Sequence, residues 1–143
     1  MCLENAKFSR PKTSIIGYKF YTVKKEKGRL VWESPYQRAI LNTRSTTIQS
    51  NRALAAKSFH GSLTRLKAEE RCFRRVDYGI HVYLNKSDAV EQAEWRGYDY
   101  GIVTVKIRPK GFVATGDFGG RESLVADSVT IIRKSRRVIL QDR

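Results

Sequence analysis

A two-residue alternation recurs along this chain, and it limits the possible folds more than any other feature. From Ile15 to Val23, the residues Ile16, Tyr18, Phe20 and Thr22 fall on one face of an extended strand. Ile15, Gly17, Lys19, Tyr21 and Val23 fall on the other. The segment 25–29, with Gly28, predicts a turn, and Leu30 to Glu33 returns as a second strand that Ser34-Pro35-Tyr36 breaks. Gly79 to Leu84 sets Ile80, Val82 and Leu84 on one face and His81 and Tyr83 on the other. Further strands are predicted at Gly101–Ile107, which ends in the turn 109–111, and at Phe112–Thr115. Val129–Arg133 and Val138–Leu140 predict a closing hairpin about Lys134-Ser135-Arg136. Helices are expected near 51–59, 63–75 and 86–96. The last is capped by Asn85 or Ser87, carries Asp88 and Glu91 early and stops at Gly97. Residues 1–14 read as an irregular basic arm, 43–50 as a loop, and 38–76 as a basic, partly helical insertion. The pattern therefore predicts one α+β domain over residues 1–143, with a mainly antiparallel curved sheet of about six strands and two or three helices.

Composition narrows the function. The chain has 143 residues and a net charge of +14. Residues 1–76 hold 17 Lys or Arg against 5 Asp or Glu, whereas 77–143 hold 11 against 9. An asymmetric basic half calls for an anionic partner: nucleic acid, a nucleotide, or an acidic host protein complex. The plain alternative is a solvated surface. No apolar run reaches the 18–20 residues or so that a membrane span needs, and the N-terminal residues lack the apolar core of a signal peptide. Cys2 and Cys72 give neither a disulfide framework nor a zinc motif. No metal or cofactor is expected, and a cytoplasmic setting is (that of the host cell, if phage-encoded).

The candidate nucleic-acid contacts are Arg52, Lys57, Arg65, Lys67, Arg71, Arg74 and Arg75, with a second cluster at Arg133, Lys134, Arg136 and Arg137. Arginine pairs with phosphate through two parallel donors, and Phe59, His60 and Phe73 interleave aromatic faces on which bases stack. The plain readings are a solvated helix face and a charged turn that blocks edge pairing. A possible nucleotide pocket comprises His81, Tyr83, Arg108, Arg121 and Glu122. The loop 116–121 offers glycine amides to a phosphate but lacks the spacing of either common nucleotide-binding motif. His81, Tyr83 and Glu122 together resemble an ADP-ribosyltransferase site, which places a glutamate before a late strand. Those enzymes, however, draw their histidine from the first strand, where this chain has Tyr18 or Lys19.

Several short pieces taken in order resemble an uncharacterised family of small bacterial and phage proteins. They are Met1-Cys2-Leu3, Tyr18-Lys19, Ser34-Pro35-Tyr36, Gly79-Ile80-His81, Asp88-Ala89, Pro109-Lys110-Gly111 and Ala126-Asp127-Ser128-Val129. Each piece is two to four residues long, and 38–76 departs from the pattern. The resemblance implies one domain and a phage or prophage setting, with no activity to carry over. Together the readings predict a non-enzymatic, phage-type accessory protein that binds nucleic acid, or a nucleic-acid-containing host complex, through a basic surface. The alternatives are a nucleotide-sequestering inhibitor of host defence signalling and an ADP-ribosyltransferase-like enzyme. His81 and Tyr83 are expected to be accessible, because an antiparallel sheet often leaves one face to solvent.

Overall fold

A computed structural model of the chain describes residues 3–35, 41, 47–49 and 79–138. These contain nine strands, β1 (Glu4–Lys7), β2 (Ile15–Glu26), β3 (Arg29–Glu33), β4 (Thr47–Gln49), β5 (Ile80–Tyr83), β6 (Tyr100–Ile107), β7 (Phe112–Phe118), β8 (Arg121–Ala126) and β9 (Ser128–Arg137), and one helix, α1 (Lys86–Trp95). All pairings are antiparallel, and the strands form a single curled sheet in the order β1-β7-β8-β5-β2-β6-β9-β4, with β3 on β2. The expectation of about six strands and two or three helices is thus corrected to a mostly β architecture. Of the expected helices, 86–96 is present as α1, while 51–59 and 63–75 lie outside the described residues.

The extra strands are those whose sequence hides its period. In β8, Ser123, Leu124, Val125 and Ala126 are all fully buried, because both faces of the sheet are covered there. A strand buried on both sides shows an unbroken apolar run, not an alternation. The four-residue β1 and three-residue β4 are too short and polar to show a period. The expected loop 116–121 shrinks to Gly119-Gly120, both at positive φ, joining β7 directly to β8. The expected hairpin about Lys134-Ser135-Arg136 is instead the interior of β9, which pairs with β6 from Thr130 to Arg137 with one register shift at Ile132.

Strand β2 organises the sheet. One edge pairs with β6 from Ile15 to Thr22. The other meets β5 at Tyr18 and β3 from Thr22 to Glu26. Helix α1 connects β5 to β6 across one face. Ala89 and Ala93, one turn apart, let it sit close against Phe20, Tyr83, Tyr100, Ile102, Phe118 and Val125. The opposite face carries a second core of Tyr21, Val23, Trp32, Val82, Val103, Val105, Ile107 and Leu124. Gly101 belongs to that face, and the Trp32 ring occupies the space a β-carbon would need, within 2.1 Å. The short 3-10 turn Pro109–Gly111 leads β6 into β7, and Asp127 alone separates β8 from β9, its N–H donating to the Gly111 carbonyl at 2.7 Å. These two corners bring Ile107, Phe112, Ala126 and Val129 into one cluster.

Candidate nucleic-acid interface

Parity within the strands decides which side chains share a surface. On the α1 face, the upper part of the sheet lies under the helix, and the lower part does not. Register aligns Tyr18 with Thr104 and Thr104 with Arg133 in one cross-strand row. The next row is Ile16, Lys106 and Thr130. Arg108 continues the alternation one step beyond Lys106 in extended conformation. Neighbours within a row stand about 5 Å apart, and successive rows about 7 Å apart. Arg108, Arg133 and Ile16 are exposed, while Tyr18, Thr104 and Lys106 are half-buried. Neither row contains an acid, and Lys106, Arg108 and Arg133 form no ion pair among the described residues. The outcome is an open sheet corner with three cations flanking a tyrosine.

Three arginines near α1 are engaged instead. Arg121 bonds Glu91 at 2.9 Å and approaches Asp88 at 3.9 Å, fastening β8 to the start of α1. Arg137 bonds Glu94 at 2.8 Å, and the same carboxylate accepts from the Tyr100 hydroxyl at 3.0 Å. Burial, and then the bond to Glu94, push the Tyr100 pKa above its ordinary value. Arg136 lies 3.7 Å from Asp99. Alternation along β9 sends Arg133 and Arg137 to the α1 face and Lys134 and Arg136 to the other, so the expected basic cluster is divided. Only its Arg133 joins the open corner. The predicted contacts Arg52, Lys57, Arg65, Lys67, Arg71, Arg74 and Arg75 lie outside the described residues.

The residues of the expected pocket do not converge. His81 packs against Phe118 with ring centroids 4.7 Å apart, and its Nδ1–H donates to the Gly79 carbonyl at 3.1 Å. Tyr83 is 5 % exposed, against Phe20 and Phe118. The expected accessibility is overturned for Tyr83, which α1 and the β7–β8 hairpin cover, while His81 is half-buried. Glu122 lies one residue before Ser123, the partner of Tyr83, and therefore belongs to the opposite face from His81. Strands β5 and β2 separate Arg121 from Arg108. Among the described residues, no group of His, Cys, Asp and Glu could hold a metal ion, and no helix is long and apolar enough to cross a membrane.

The face opposite α1 holds one further unusual group. Lys19 half-buries its ammonium, with Nζ donating to the His81 carbonyl at 3.5 Å and lying 5.4 Å from the Tyr21 ring centroid. Burial lowers its pKa from 10.5 to about 8 and raises that of Tyr21. Sequence reasoning found Arg108 and Arg133 but not Tyr18 or Lys106. The alternation Thr104, Lys106, Arg108 against Val103, Val105, Ile107 was the available signal, and it needed β9 as a neighbour to gain meaning. In comparisons with known proteins, the chain matches no family model, no curated protein and no solved structure.

Proposed function

We propose that this chain is a non-enzymatic accessory protein that binds nucleic acid through a basic surface, and that the open corner of the sheet is that surface. The observation that carries the reading is the row register: it sets Lys106, Arg108 and Arg133 about Tyr18 on one face with no acid among them. Cations left unpaired by a fold that pairs Arg121, Arg136 and Arg137 are suited to a phosphate backbone. The uncovered edge of a half-buried tyrosine on an antiparallel face offers bases a place to stack. The net charge of +14 adds long-range attraction.

The test is a salt titration with fluorescein-labelled 20-mers. Lys106→Gln, Arg108→Gln and Arg133→Gln together should weaken binding more than tenfold at about 0.1 M salt. They should also flatten the slope of log K against log salt by roughly three units, one per lost phosphate contact. An unchanged affinity and slope in a variant with native circular dichroism refutes the assignment.

A further inference from the structure

Strand β2 outlasts its sheet. Its last tie to the β6 side is the Val23 N–H donating to the Asp99 carbonyl at 2.8 Å. Beyond it, Lys24, Lys25 and Glu26 pair, among the described residues, only with Val31, Leu30 and Arg29 of β3. A two-residue turn closes this ribbon, with Lys27 at φ 49° and Gly28 at φ 76°. Both central residues at positive φ are what a tight hairpin with the native strand twist requires. Every residue from Lys24 to Leu30 is exposed. The root, by contrast, is anchored: Trp32 is buried on Gly101 and lies 6.4 Å from the Tyr21 ring, and its carbonyl accepts from the Leu41 N–H at 2.8 Å. The result is a stiff two-stranded arm with a solvated tip.

The tip is basic. Lys24 is held by Glu33 at 3.3 Å, at the root side. Lys25, Lys27 and Arg29 form no ion pair among the described residues, and Glu26 is the single acid between them. A solvated turn in a two-stranded ribbon has no need of three cations for its own stability. It would be more stable with fewer, since like charges at close range repel.

We infer that the ribbon β2–β3 is an arm that enters the major groove of double-stranded DNA. This rests on the nucleic-acid reading above and names the class of nucleic acid. The major groove of B-form DNA is about 12 Å wide and 8.5 Å deep, and it admits a two-stranded β-ribbon. Four residues beyond Val23 extend about 13 Å at the usual rise, enough to reach the groove floor. Arg29 and Glu26 are direct cross-strand partners, so they share one face of the tip. Guanine offers two acceptors in that groove and its paired cytosine offers a donor, a match for an arginine beside a glutamate. Lys25 stands on the other face, and Lys27 at the turn, each positioned for a phosphate at the groove edge. A-form RNA has a deep, narrow major groove that excludes such an arm.

The experiment uses the full chain and three fluorescein-labelled probes: a 20-bp DNA duplex, one of its single strands, and an RNA duplex of the same sequence. Three proteins are compared: wild type, the tip variant K25Q/K27Q/R29Q, and the corner variant K106Q/R108Q/R133Q. The tip variant should lose at least tenfold in affinity for the DNA duplex and less than twofold for the other two probes. Its salt slope on the DNA duplex should fall by two to three units. An equal loss on all three probes overturns the arm, as it makes the tip a generic source of charge. So does no loss on the duplex. The corner reading fails separately if the corner variant binds every probe like wild type, and a tip variant that still loses only the duplex leaves the arm standing. If wild type binds none of the probes, both readings fall.

Discussion

Lys19 carries a stability consequence that can be worked out from its surroundings. It is flanked on its face by Tyr21 on its own strand and by Val103 and Lys134 across β6 and β9. None of the three is an acid, and desolvation lowers its pKa from 10.5 to about 8. Below pH 8 the ammonium is protonated in both the folded and unfolded chain, and the whole penalty of burying charge stands. Between about 8 and 10.5 the unfolded chain binds more protons than the folded one, so folding stability rises with pH. At about 1.4 kcal/mol per pKa unit the full penalty is on the order of 3 kcal/mol. Integration over pH 7 to 9.5 recovers about 2 kcal/mol of it, a gain of about 4–8 °C in Tm. Lys19→Met keeps the length of the side chain and removes the charge. Urea unfolding of wild type and variant, side by side at pH 7, 8, 9 and 9.5, isolates the effect from the titration of other groups. The variant should be the more stable at pH 7, and the gap should narrow by about 2 kcal/mol by pH 9.5. A gap that stays constant with pH refutes the reasoning, since it would mean that the amine titrates alike in folded and unfolded chains.

Two further perturbations separate scaffold from site. His81→Ala removes the Phe118 contact and the bond to the Gly79 carbonyl, and should lower stability by about 1–3 kcal/mol in thermal unfolding. Affinity for the 20-mers, per folded molecule, should stay within twofold; a specific loss of binding would return His81 to the site. Gly116→Val, inside β7 and at ordinary φ, places a β-carbon 2.4 Å from the Glu4 carbonyl oxygen and 2.8 Å from Leu3. It should detach β1 and lower Tm by several degrees, and an unchanged Tm would mean that β1 is not held there.

The parts of the fold legible in the sequence are those where one side of a strand differs from the other. Parity in 15–23 and 79–84 correctly divided Ile80 and Val82 from Tyr83, and Tyr21 from Phe20, between two faces. What parity could not say is whether both faces are covered, and that depends on where α1 and the β7–β8 hairpin come to lie. The same limit hid the strand character of Ser123 to Ala126 and made Tyr83 look accessible. Gly111 does close the turn begun by Pro109, as the sequence suggests, but Gly116 lies inside β7 and does not end a strand. Neither is at positive φ; they are glycine because Ser128 in one case and β1 in the other pass too close for a side chain. Such contacts between residues distant in sequence leave no local trace. The charge asymmetry of the sequence was plain, but ion pairing with α1 and Asp99 decides which arginines remain available, and that pairing is tertiary.

The pairing of β1 with β7 also bears on how the chain is made. Glu4 is opposite Asp117, so the first strand must wait for more than a hundred further residues before its partner exists. Leu3 and Ala6, almost wholly buried in the finished protein, face water or the ribosome surface for that whole interval. The β2–β3 ribbon has its partner within a few residues and can close in microseconds as it emerges. Vectorial synthesis therefore orders assembly from the arm outward. Translation speed between residues 33 and 117 sets how long Leu3 and Ala6 stay uncovered, the interval in which a chaperone or another nascent chain could capture them.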